Sequence, residues 1–376
     1  MNFSHSEYAS RLAALRLQMQ RQQLDLVLYF GQEAANYFGG FYTHGHFANT
    51  MFAVPLSGEP FMVLRALEEA AGRSTSWLTE LHLFQDHEDP FEIARQTLVS
   101  KGLASARIAC DTHSWYLTVE RYAALKTALP GATFVDEGGI ADQLRTVKTL
   151  SEIDYLRSAS ATVDAAMQAA IAATGAGVGE RTVAAAMAAA RIEAGSDLPI
   201  DGVLTTGPRT LQGHGGWTDR VIQAGDPFLY EFHGIVNHYW ARSLRSGVVG
   251  RANAQQLDIA AKVIQAQDAM IAKLVPGGSS READAACREV MITSGLKDRA
   301  EYTRRLGYSL GINFRPSPGE MICGFTPTID FEIRAGMTFM LLCSHEGIGI
   351  GDMVAVTENG PELLTRLPRK YYELER

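Results

Sequence analysis

Residues 211–250 constrain the fold of this chain more than any other part of the sequence. A histidine between glycines, His214, is followed by the turn pair Gly225-Asp226 and then by two mostly apolar segments. Apolar segments of this length, bounded by turn residues, predict two neighbouring strands. The first strand carries one carboxylate, Glu231, and the second ends in Leu244-Arg-Ser. Because a carboxylate within an apolar strand needs a polar partner, this strand pair is where a functional site is expected.

The composition is that of an ordinary globular chain and excludes several kinds of partner. Of the 376 residues, 46% are hydrophobic and 20% are charged, which is enough for two domains with sizeable cores. A net charge of -8 predicts no attraction to nucleic acid or to an anionic membrane. The polar N-terminal segment predicts no signal peptide, and no run reaches the roughly 20 apolar residues of a membrane span. The four scattered cysteines favour a reducing, cytoplasmic location.

The first 142 residues alternate between helical and strand patterns. Apolar residues at helical spacing predict helices over residues 8–24 and 119–129. Strands are predicted over residues 24–30, 50–55, 60–65, 106–111 and 132–136. This alternation predicts a small N-terminal α/β domain over residues 1–142.

Residues 143–376 show helices and strands in separate groups. A long helix is predicted to start at Ser151 as its N-cap and to continue to residue 173. Further helices are predicted over residues 182–194, 254–274 and 280–294, with strands around residues 227–250, 339–343, 352–357 and 362–365. Two helix pairs beside antiparallel strands predict an α+β domain with two similar halves.

The order of short motifs in this second part resembles the creatinase/prolidase/methionine aminopeptidase family, whose catalytic domain has the pita-bread fold. The motifs are Arg145-Thr-Val-Lys-Thr-Leu-Ser-Glu-Ile, Gly225-Asp226, Arg245-Ser-Gly-Val-Val-Gly, Gly307-Tyr-Ser-Leu-Gly, Ala335-Gly-Met-Thr-Phe and Asp352-Met-Val-Ala-Val-Thr. The resemblance covers nearly the whole chain. It implies an α/β + α+β protein, with a creatinase-like N-terminal domain (residues 1–142) and a pita-bread catalytic domain (residues 143–376).

Metallopeptidases of this family bind two metal ions through two Asp, one His and two Glu, because hard divalent cations need several anionic oxygens. The corresponding positions of this sequence hold Glu231, Arg242, Tyr308, Leu342 and Gly351. Only one carboxylate remains among them. The resemblance therefore implies the metal-free branch of the family, with no metal and no other cofactor. A different metal site formed by His214, His233, His238 and His345 stays open, although no tight ligand spacing supports it.

Within that branch the sequence resembles the ectoine hydrolases and creatinase. The shared features are Tyr230-Glu-Phe, Gly307-Tyr-Ser-Leu-Gly, Pro316, Gly319-Glu320 and Gly336-Met-Thr-Phe. One departure is Ser317-Pro-Gly-Glu, where the ectoine hydrolases have Asp-Trp-Gly-Glu. The resemblance implies a metal-independent hydrolase that acts on a C–N bond of a cyclic amidine, a guanidino acid or a ureido acid.

Three residues are the candidates for the chemistry. Glu231 is expected to be the nucleophile, or the base that activates water. His214, between two glycines, is expected to relay the proton to the leaving nitrogen. Tyr308 is expected to donate a hydrogen bond to developing negative charge. Arg245 is instead expected to be structural and to pair with a carboxylate or carbonyl near the site.

Further residues are candidates for contacts with the substrate. Glu320 is expected to hold a cationic group of the substrate, and His345 and Trp217 are expected to line the pocket. In creatinase-like homodimers the N-terminal domain closes the pocket of the partner subunit. The resemblance therefore implies a homodimer in which Tyr42, His44 and His46 reach the partner's site. Each of these residues also has a purely structural interpretation, as an aromatic packing residue, a loop histidine or a solvated carboxylate.

Two alternative functions stay open at the level of the sequence. The first is a metal-dependent dipeptidase that cleaves Xaa-Pro bonds, which bound Mn, Co, Fe or Zn in the purified protein would favour. The second is a pita-bread domain that binds a peptide or protein without catalysis, which a failure to bind small nitrogen compounds would favour. A lyase acting on a betaine-like compound is a weaker third alternative.

Overall fold

The computed structural model describes residues 2–45, 48–198, 202–299, 302–317, 319–320 and 322–375. They form two compact units, Met1–Arg145 with Phe314–Ser317 and Thr146–Asn313 with Pro318–Arg376. The predicted fold class, a small α/β unit followed by a larger α+β unit, is confirmed. The domain boundary expected after residue 142 falls inside the last helix of the first unit, Ile140–Arg145. Among the described residues, no helix combines the length and the apolar character that a membrane crossing requires.

The first unit is a six-stranded mixed sheet with helices on both faces. Its helices are α1 (His5–Arg21), α2 (Gln32–Gly39), α3 (Glu69–Thr75), α4 (Pro90–Ser100), α5 (Val119–Ala128) and α6 (Ile140–Arg145). Its strands are β1 (Leu26–Tyr29), β2 (Met51–Pro55), β3 (Phe61–Arg65), β4 (Leu81–Phe84), β5 (Arg107–Cys110) and β6 (Thr133–Asp136). They lie in the order β4-β3-β2-β1-β5-β6, with β1, β5 and β6 parallel.

The central strands of this sheet are apolar on both faces because helices cover both. One core contains Leu15 of α1 and Phe38 of α2, and the other contains Phe91 of α4 and Leu125 of α5. All residues of β1 and β2 are buried. Continuous apolar runs, rather than alternating ones, are what a sheet covered on both faces requires.

The second unit is a nine-stranded sheet with two helix pairs. Its helices are α7 (Leu150–Ala173), α8 (Glu180–Glu193), α9 (Ala254–Ile271) and α10 (Ser280–Thr293). Its strands are β7 (Val203–Thr206), β8 (Pro227–Val236), β9 (Tyr239–Val249), β10 (Gly307–Ser309), β11 (Gly324–Phe325), β12 (Thr338–His345), β13 (Ile348–Thr357), β14 (Gly360–Leu363) and β15 (Tyr372–Leu374). The main order is β11-β10-β12-β13-β9-β8-β7, with β14 beside β13 and β15 beside β9. Helix α7 packs on β8 and β9 and α9 packs on β12 and β13, which gives the two similar halves.

The long helix α7 starts at a different cap from the one predicted. Its N-cap is Thr149, whose side chain accepts a hydrogen bond from the backbone N–H of Glu152. The carboxylate of Glu152 accepts a hydrogen bond from the backbone N–H of Thr149 in return. This reciprocal pair satisfies two N–H groups, so Thr149 caps the helix and the predicted Ser151 lies in its first turn.

A buried arginine joins the two halves of the sheet. The guanidinium of Arg245, on β9, donates to the carbonyl oxygen of Gly351 at 2.8 Å and to Oδ1 of Asp352 at 2.7 Å, both on β13. The side chains of Arg245 and Asp352 are 0% exposed. The structural role predicted for Arg245 is therefore confirmed.

Candidate active site

Glu231 lies on the face of the second sheet that points away from α7. Its neighbours on β8, Tyr230 and Phe232, are buried on the helix-covered face, where the Tyr230 hydroxyl lies 2.8 Å from Oγ1 of Thr174. Successive strand residues point to opposite faces, so Glu231 projects from the other side. Its side chain is 14% exposed. We call this side of the sheet the site face.

The site face holds all five positions at which the family resemblance places metal ligands. The register of the strands shows this. Leu244 of β9 lies directly opposite Glu231 of β8 on one side and Gly351 of β13 on the other, so these residues share a face. Gly351 in turn lies opposite Leu342 of β12. The remaining two positions, on β9 and β10, fall on the same face by strand alternation. The five positions are Glu231, Arg242, Tyr308, Leu342 and Gly351.

Arg242 joins Glu231 to Tyr308. One nitrogen of its guanidinium, Nη1, donates a hydrogen bond to Oε1 of Glu231 at 3.2 Å and another to the hydroxyl of Tyr308. The Glu231 and Arg242 side chains, which form an ion pair, are 14% and 12% exposed. An arginine has donors only, so the Tyr308 hydroxyl must accept this bond and keeps its own hydrogen to donate elsewhere.

Tyr308 is held in its protonated form. Burial, followed by the negative charge of Glu231, raises the pKa of this phenol above its ordinary value of 10.0, although the guanidinium groups of Arg242 and Arg305 act in the opposite direction. The Arg305 guanidinium carbon lies 4.7 Å from the centre of the Tyr308 ring. A protonated phenol that accepts a bond from a cation is a good donor toward negative charge.

The residues at the five positions do not fit a two-metal centre. Leu342 has no donor atom, and a guanidinium at position 242 repels a cation. A Cβ atom at Gly351 would lie 2.5 Å from Cε of Met340 and 2.8 Å from Cβ of Leu244, so apolar side chains fill the space of the fifth ligand. Within the part of the chain that the structure describes, no three His, Cys, Asp or Glu residues cluster as a metal site.

His214 lies on an exposed loop at the edge of the sheet. The carbonyl oxygen of the next residue, Gly215, accepts a hydrogen bond at 3.0 Å from the backbone N–H of Leu204 on β7. Position 215 requires glycine, because a Cβ atom there would lie 2.4 Å from Cγ2 of Thr205. Strand β7 thus separates the loop from Glu231, and two strand spacings are roughly 10 Å. Among the described residues, the structure shows no contact between His214 and Glu231. Trp217 lies on the same loop as His214 and is half-buried.

A buried carboxylate fixes the base of this loop. Glu180, the first residue of α8, is 0% exposed. It accepts hydrogen bonds from the Thr206 hydroxyl at 2.7 Å, from the Arg209 guanidinium at 2.6 Å, and from the backbone N–H of Thr218 at 2.7 Å. The Arg209 guanidinium also donates to the carbonyl oxygen of Gly216 at 2.5 Å. Both ends of the loop are therefore held while His214, at its tip, is exposed.

Two of the residues predicted to contact the substrate have other surroundings in the structure. Glu320 forms an ion pair at 2.6 Å with Lys148, and both side chains are 0% exposed, so its carboxylate already has an internal cation. His345 ends β12 an odd number of residues beyond Leu342, so alternation turns it away from the site face. Burial and the charge of Lys297 lower its pKa. The contacts of Glu320 and His345 with a substrate stay predictions.

The predicted residues of the first unit lie together in one loop. The Tyr42 hydroxyl is 3.1 Å from Nδ1 of His44, and the Tyr42 ring packs 5.9 Å from the ring of Phe314. His44 is exposed. His46 lies outside the described residues. The contact of this loop with the site of a partner subunit stays a prediction.

Two residues of the site face were not assigned a role in the reaction, although His233 was considered as a ligand of a different metal site. Arg242 was identified only as a lost ligand, although a cation eleven residues beyond Glu231 on the paired strand was a signal for an ion pair. His233 follows Glu231 by two residues and shares its face, which the strand periodicity alone predicts. The partner of Glu320, Lys148, is 172 residues away in sequence and left no local signal.

Comparison with known proteins supports the same fold over the full length. The chain is 23% identical over 396 residues to the ectoine hydrolase of Halomonas elongata, with 98% of each chain covered. It is 26% identical over 344 residues to the putative dipeptidase YkvY of Bacillus subtilis, covering 90% of this chain and 92% of that protein. Among solved structures, it is similar to dipeptidase PepE from Mycobacterium ulcerans, with a TM-score of 0.85, 26% identity and 100% coverage of both chains.

Two family matches divide the chain in the same way as the structure does. Residues 11–147 match the creatinase/prolidase N-terminal domain. Residues 154–358, which include all five positions of the site face, match metallopeptidase family M24. This match spans more than half of the 376 residues, and the chain belongs to metallopeptidase family M24.

Proposed function

We propose that this protein is a metal-independent hydrolase that cleaves a C–N bond in a small nitrogen-rich compound. The substrate class is a cyclic amidine, a guanidino acid or a ureido acid. The observation that carries the proposal is the guanidinium of Arg242, which stands at a ligand position and contacts both Glu231 and Tyr308. Similarity to an ectoine hydrolase over 98% of both chains supports the substrate class.

In the proposed reaction Glu231 supplies the base or the nucleophile. As a base, its carboxylate takes a proton from water, and the water oxygen forms a bond to the electrophilic carbon. As a nucleophile, a carboxylate oxygen of Glu231 attacks that carbon directly, the C–N bond breaks, and water later hydrolyses the acyl imidate or mixed anhydride that results. Arg242 holds the carboxylate in place in either route, because its hydrogen bond and charge fix one oxygen.

Tyr308 and Arg242 stabilise the negative charge that the attack creates. The Tyr308 hydroxyl accepts a bond from Arg242 and donates its own hydrogen toward the developing anion. Donors fixed in advance in a largely buried site need little reorganisation during the reaction. The C–N bond then breaks, and the leaving nitrogen keeps the electron pair and needs one proton. His214 is the residue to which the sequence assigns that proton.

The test is turnover by the purified full chain treated with chelator. The probes are ectoine, creatine, N-carbamoylglycine, hydantoin and an Xaa-Pro dipeptide, with products detected by mass spectrometry. We expect hydrolysis of one nitrogen compound that does not depend on the chelator. The substitution Glu231→Gln should lower its rate at least about 100-fold, as expected for loss of a catalytic base or nucleophile. The control Glu289→Gln alters an exposed carboxylate paired with Arg299 and should leave the rate unchanged.

A metal-dependent dipeptidase is the second candidate, because YkvY and PepE are both named as dipeptidases. It requires a metal arrangement other than the five positions of the site face. Cleavage of the Xaa-Pro dipeptide that appears only after adding Mn²⁺ would establish this candidate. The same result, or full activity of the Glu231→Gln variant on the nitrogen compound, would overturn the proposed function.

A further inference from the structure

We propose that His233, rather than His214, is the catalytic residue that gives a proton to the leaving nitrogen. The inference rests on the proposed function and deepens it. His233 lies on β8, two residues beyond Glu231 on the site face, and is 8% exposed. Residues two apart on a strand are separated by roughly 7 Å, which is the length of a small substrate placed between them.

The cross-strand register places His233 beside the charged group of the site. His233 lies directly opposite Arg242 in the antiparallel pair of β8 and β9. Side chains at directly opposite positions have Cβ atoms roughly 4.5–5.5 Å apart. The imidazole thus shares its face with Glu231 on its own strand, Arg242 on β9 and Tyr308 on β10, which are the three groups assigned to the attack.

Two contacts hold His233 in place, one to its ring and one to its backbone carbonyl group. Its ring packs edge-on against the ring of Trp240, with centres 5.4 Å apart at an angle of 74°. Its carbonyl oxygen accepts a hydrogen bond at 3.0 Å from the guanidinium of the buried Arg191 on α8. A proton donor fixed in this way loses little entropy when a substrate binds.

The two histidines differ in the support that the fold provides. His214 is exposed at the tip of a glycine-containing loop, and β7 lies between that loop and Glu231. From there it would have to approach the leaving group across β7. His233 is buried in the sheet two residues from Glu231 and shares its face, so the geometry favours it as the acid.

The proton balance needs no other reactant. Protonated His233 donates the proton on its ring nitrogen to the leaving nitrogen as the C–N bond breaks, and becomes neutral. Glu231 has meanwhile taken one proton from the attacking water. Release of that proton from Glu231 and protonation of His233 from solvent restore the starting state, so one water is consumed for each bond cleaved.

The first experiment tests, without a substrate, whether the His233 side chain lies close to Glu231 and Arg242. The full chain labelled with [13Cε1]histidine contains ten histidines, and spectra of His233→Asn and His214→Asn variants assign the two resonances. We expect Glu231→Gln to lower the titration midpoint of His233, because a neighbouring negative charge is removed, and Arg242→Gln to raise it. Unchanged midpoints of His233 in both variants would show that it does not face the pair, and would overturn the inference.

The second experiment measures turnover of the probe compound that the wild type hydrolyses. His233→Asn should lower kcat about 100-fold or more and remove the limb of the pH profile that reports the acid, with a smaller change in KM. His233→Gln provides a second variant if the first does not fold. His82→Asn, which alters a histidine paired with Glu80 in the first unit, is the control that should keep wild-type kcat.

The two failures are distinguishable. Wild-type protein that hydrolyses none of the nitrogen compounds would overturn the proposed function, and the inference with it. Wild-type turnover together with full activity of His233→Asn would overturn the inference alone. Loss of activity in His214→Asn with full activity in His233→Asn would return the proton transfer to His214.

Discussion

Two buried carboxylates, Asp352 in the second unit and Asp111 in the first, are balanced in different ways. In the second unit, Asp352 lies 2.7 Å from the guanidinium of Arg245, with both side chains 0% exposed. In the first unit, Asp111 is also buried, but it accepts hydrogen bonds from the backbone N–H groups of Phe30 at 3.0 Å and Gly31 at 2.7 Å. Burial raises the pKa of Asp111 to about 8, although those backbone bonds act to lower it.

For other buried carboxylates, the direction of the pKa shift depends on their hydrogen-bond and charge partners. Glu180 of the second unit pairs with Arg209, and hydrogen bonds outweigh burial to lower its pKa. In the first unit, burial raises the pKa of Glu33 and of Glu137. Hydrogen bonds and neighbouring cations favour the charged carboxylate, and burial favours the protonated one. Both outcomes occur within each unit: against burial, Arg145 and His113 lower the pKa of Asp142 in the first unit to about 2, and burial raises the pKa of Asp197 in the second.

The largest loss of stability is expected from breaking the buried ion pair between Arg245 and Asp352 in the second unit. Asp352→Asn leaves the buried guanidinium of Arg245 without its carboxylate, and removing one member of a buried pair costs about 3–5 kcal/mol. Hydrogen exchange measured by mass spectrometry should show faster exchange in β9 and β13, and little change in the first unit. The matched control is Glu375→Gln, which breaks the exposed ion pair with Arg251. That pair contributes about 1 kcal/mol or less to the free energy of unfolding. Equal effects of the two substitutions would contradict the importance assigned to the buried pair.

A smaller, pH-dependent effect is expected in the first unit. The pKa of Asp111 is raised on folding from about 3.9 in an unfolded chain, so its contribution to stability is complete below about pH 4 and is lost as the pH rises through about 8. Between about pH 4 and about pH 8 the loss grows by about 1.4 kcal/mol for each pH unit, and above about pH 8 it is complete. Asp111→Asn removes this dependence, so the stability of the wild type relative to the variant should fall between pH 6 and 8 and then level off. Urea unfolding at each pH measures it, and a difference that stays constant would show that Asp111 titrates normally.

Much of the fold followed from periodicity and motif order. The apolar runs of β1 and β2 and the helical spacing of α1 predicted the covered sheet of the first unit, because local patterns report burial directly. The start of α7 was misplaced by two residues, since Ser151 and Thr149 are both good caps. The reciprocal bond between Thr149 and Glu152 decides between them, and the spacing Thr149-Leu-Ser-Glu152 was a signal for it in the sequence.

The candidate site was only partly predictable. The motif resemblance identified Glu231 and Tyr308, and the alternation of β8 was enough to add His233. The ion pair between Lys148 and Glu320 depends on a contact between distant segments, so nothing local distinguished Glu320 from a carboxylate that binds substrate. The position of His214 depends on how its loop crosses the sheet edge, which residue spacing does not determine.

Arg242 stands where the family resemblance expects a metal ligand, and the proposed metal-independent reaction depends on it more than on any other residue. The direct measurement is the rate of hydrolysis of the nitrogen compound in the presence of chelator, for wild type and Arg242→Gln. We predict that chelator leaves the wild-type rate unchanged and that the substitution lowers it about 100-fold or more, because Glu231 loses its partner and Tyr308 its cation. A variant as active as wild type, or a wild-type rate that appears only on adding a divalent metal, would contradict the account.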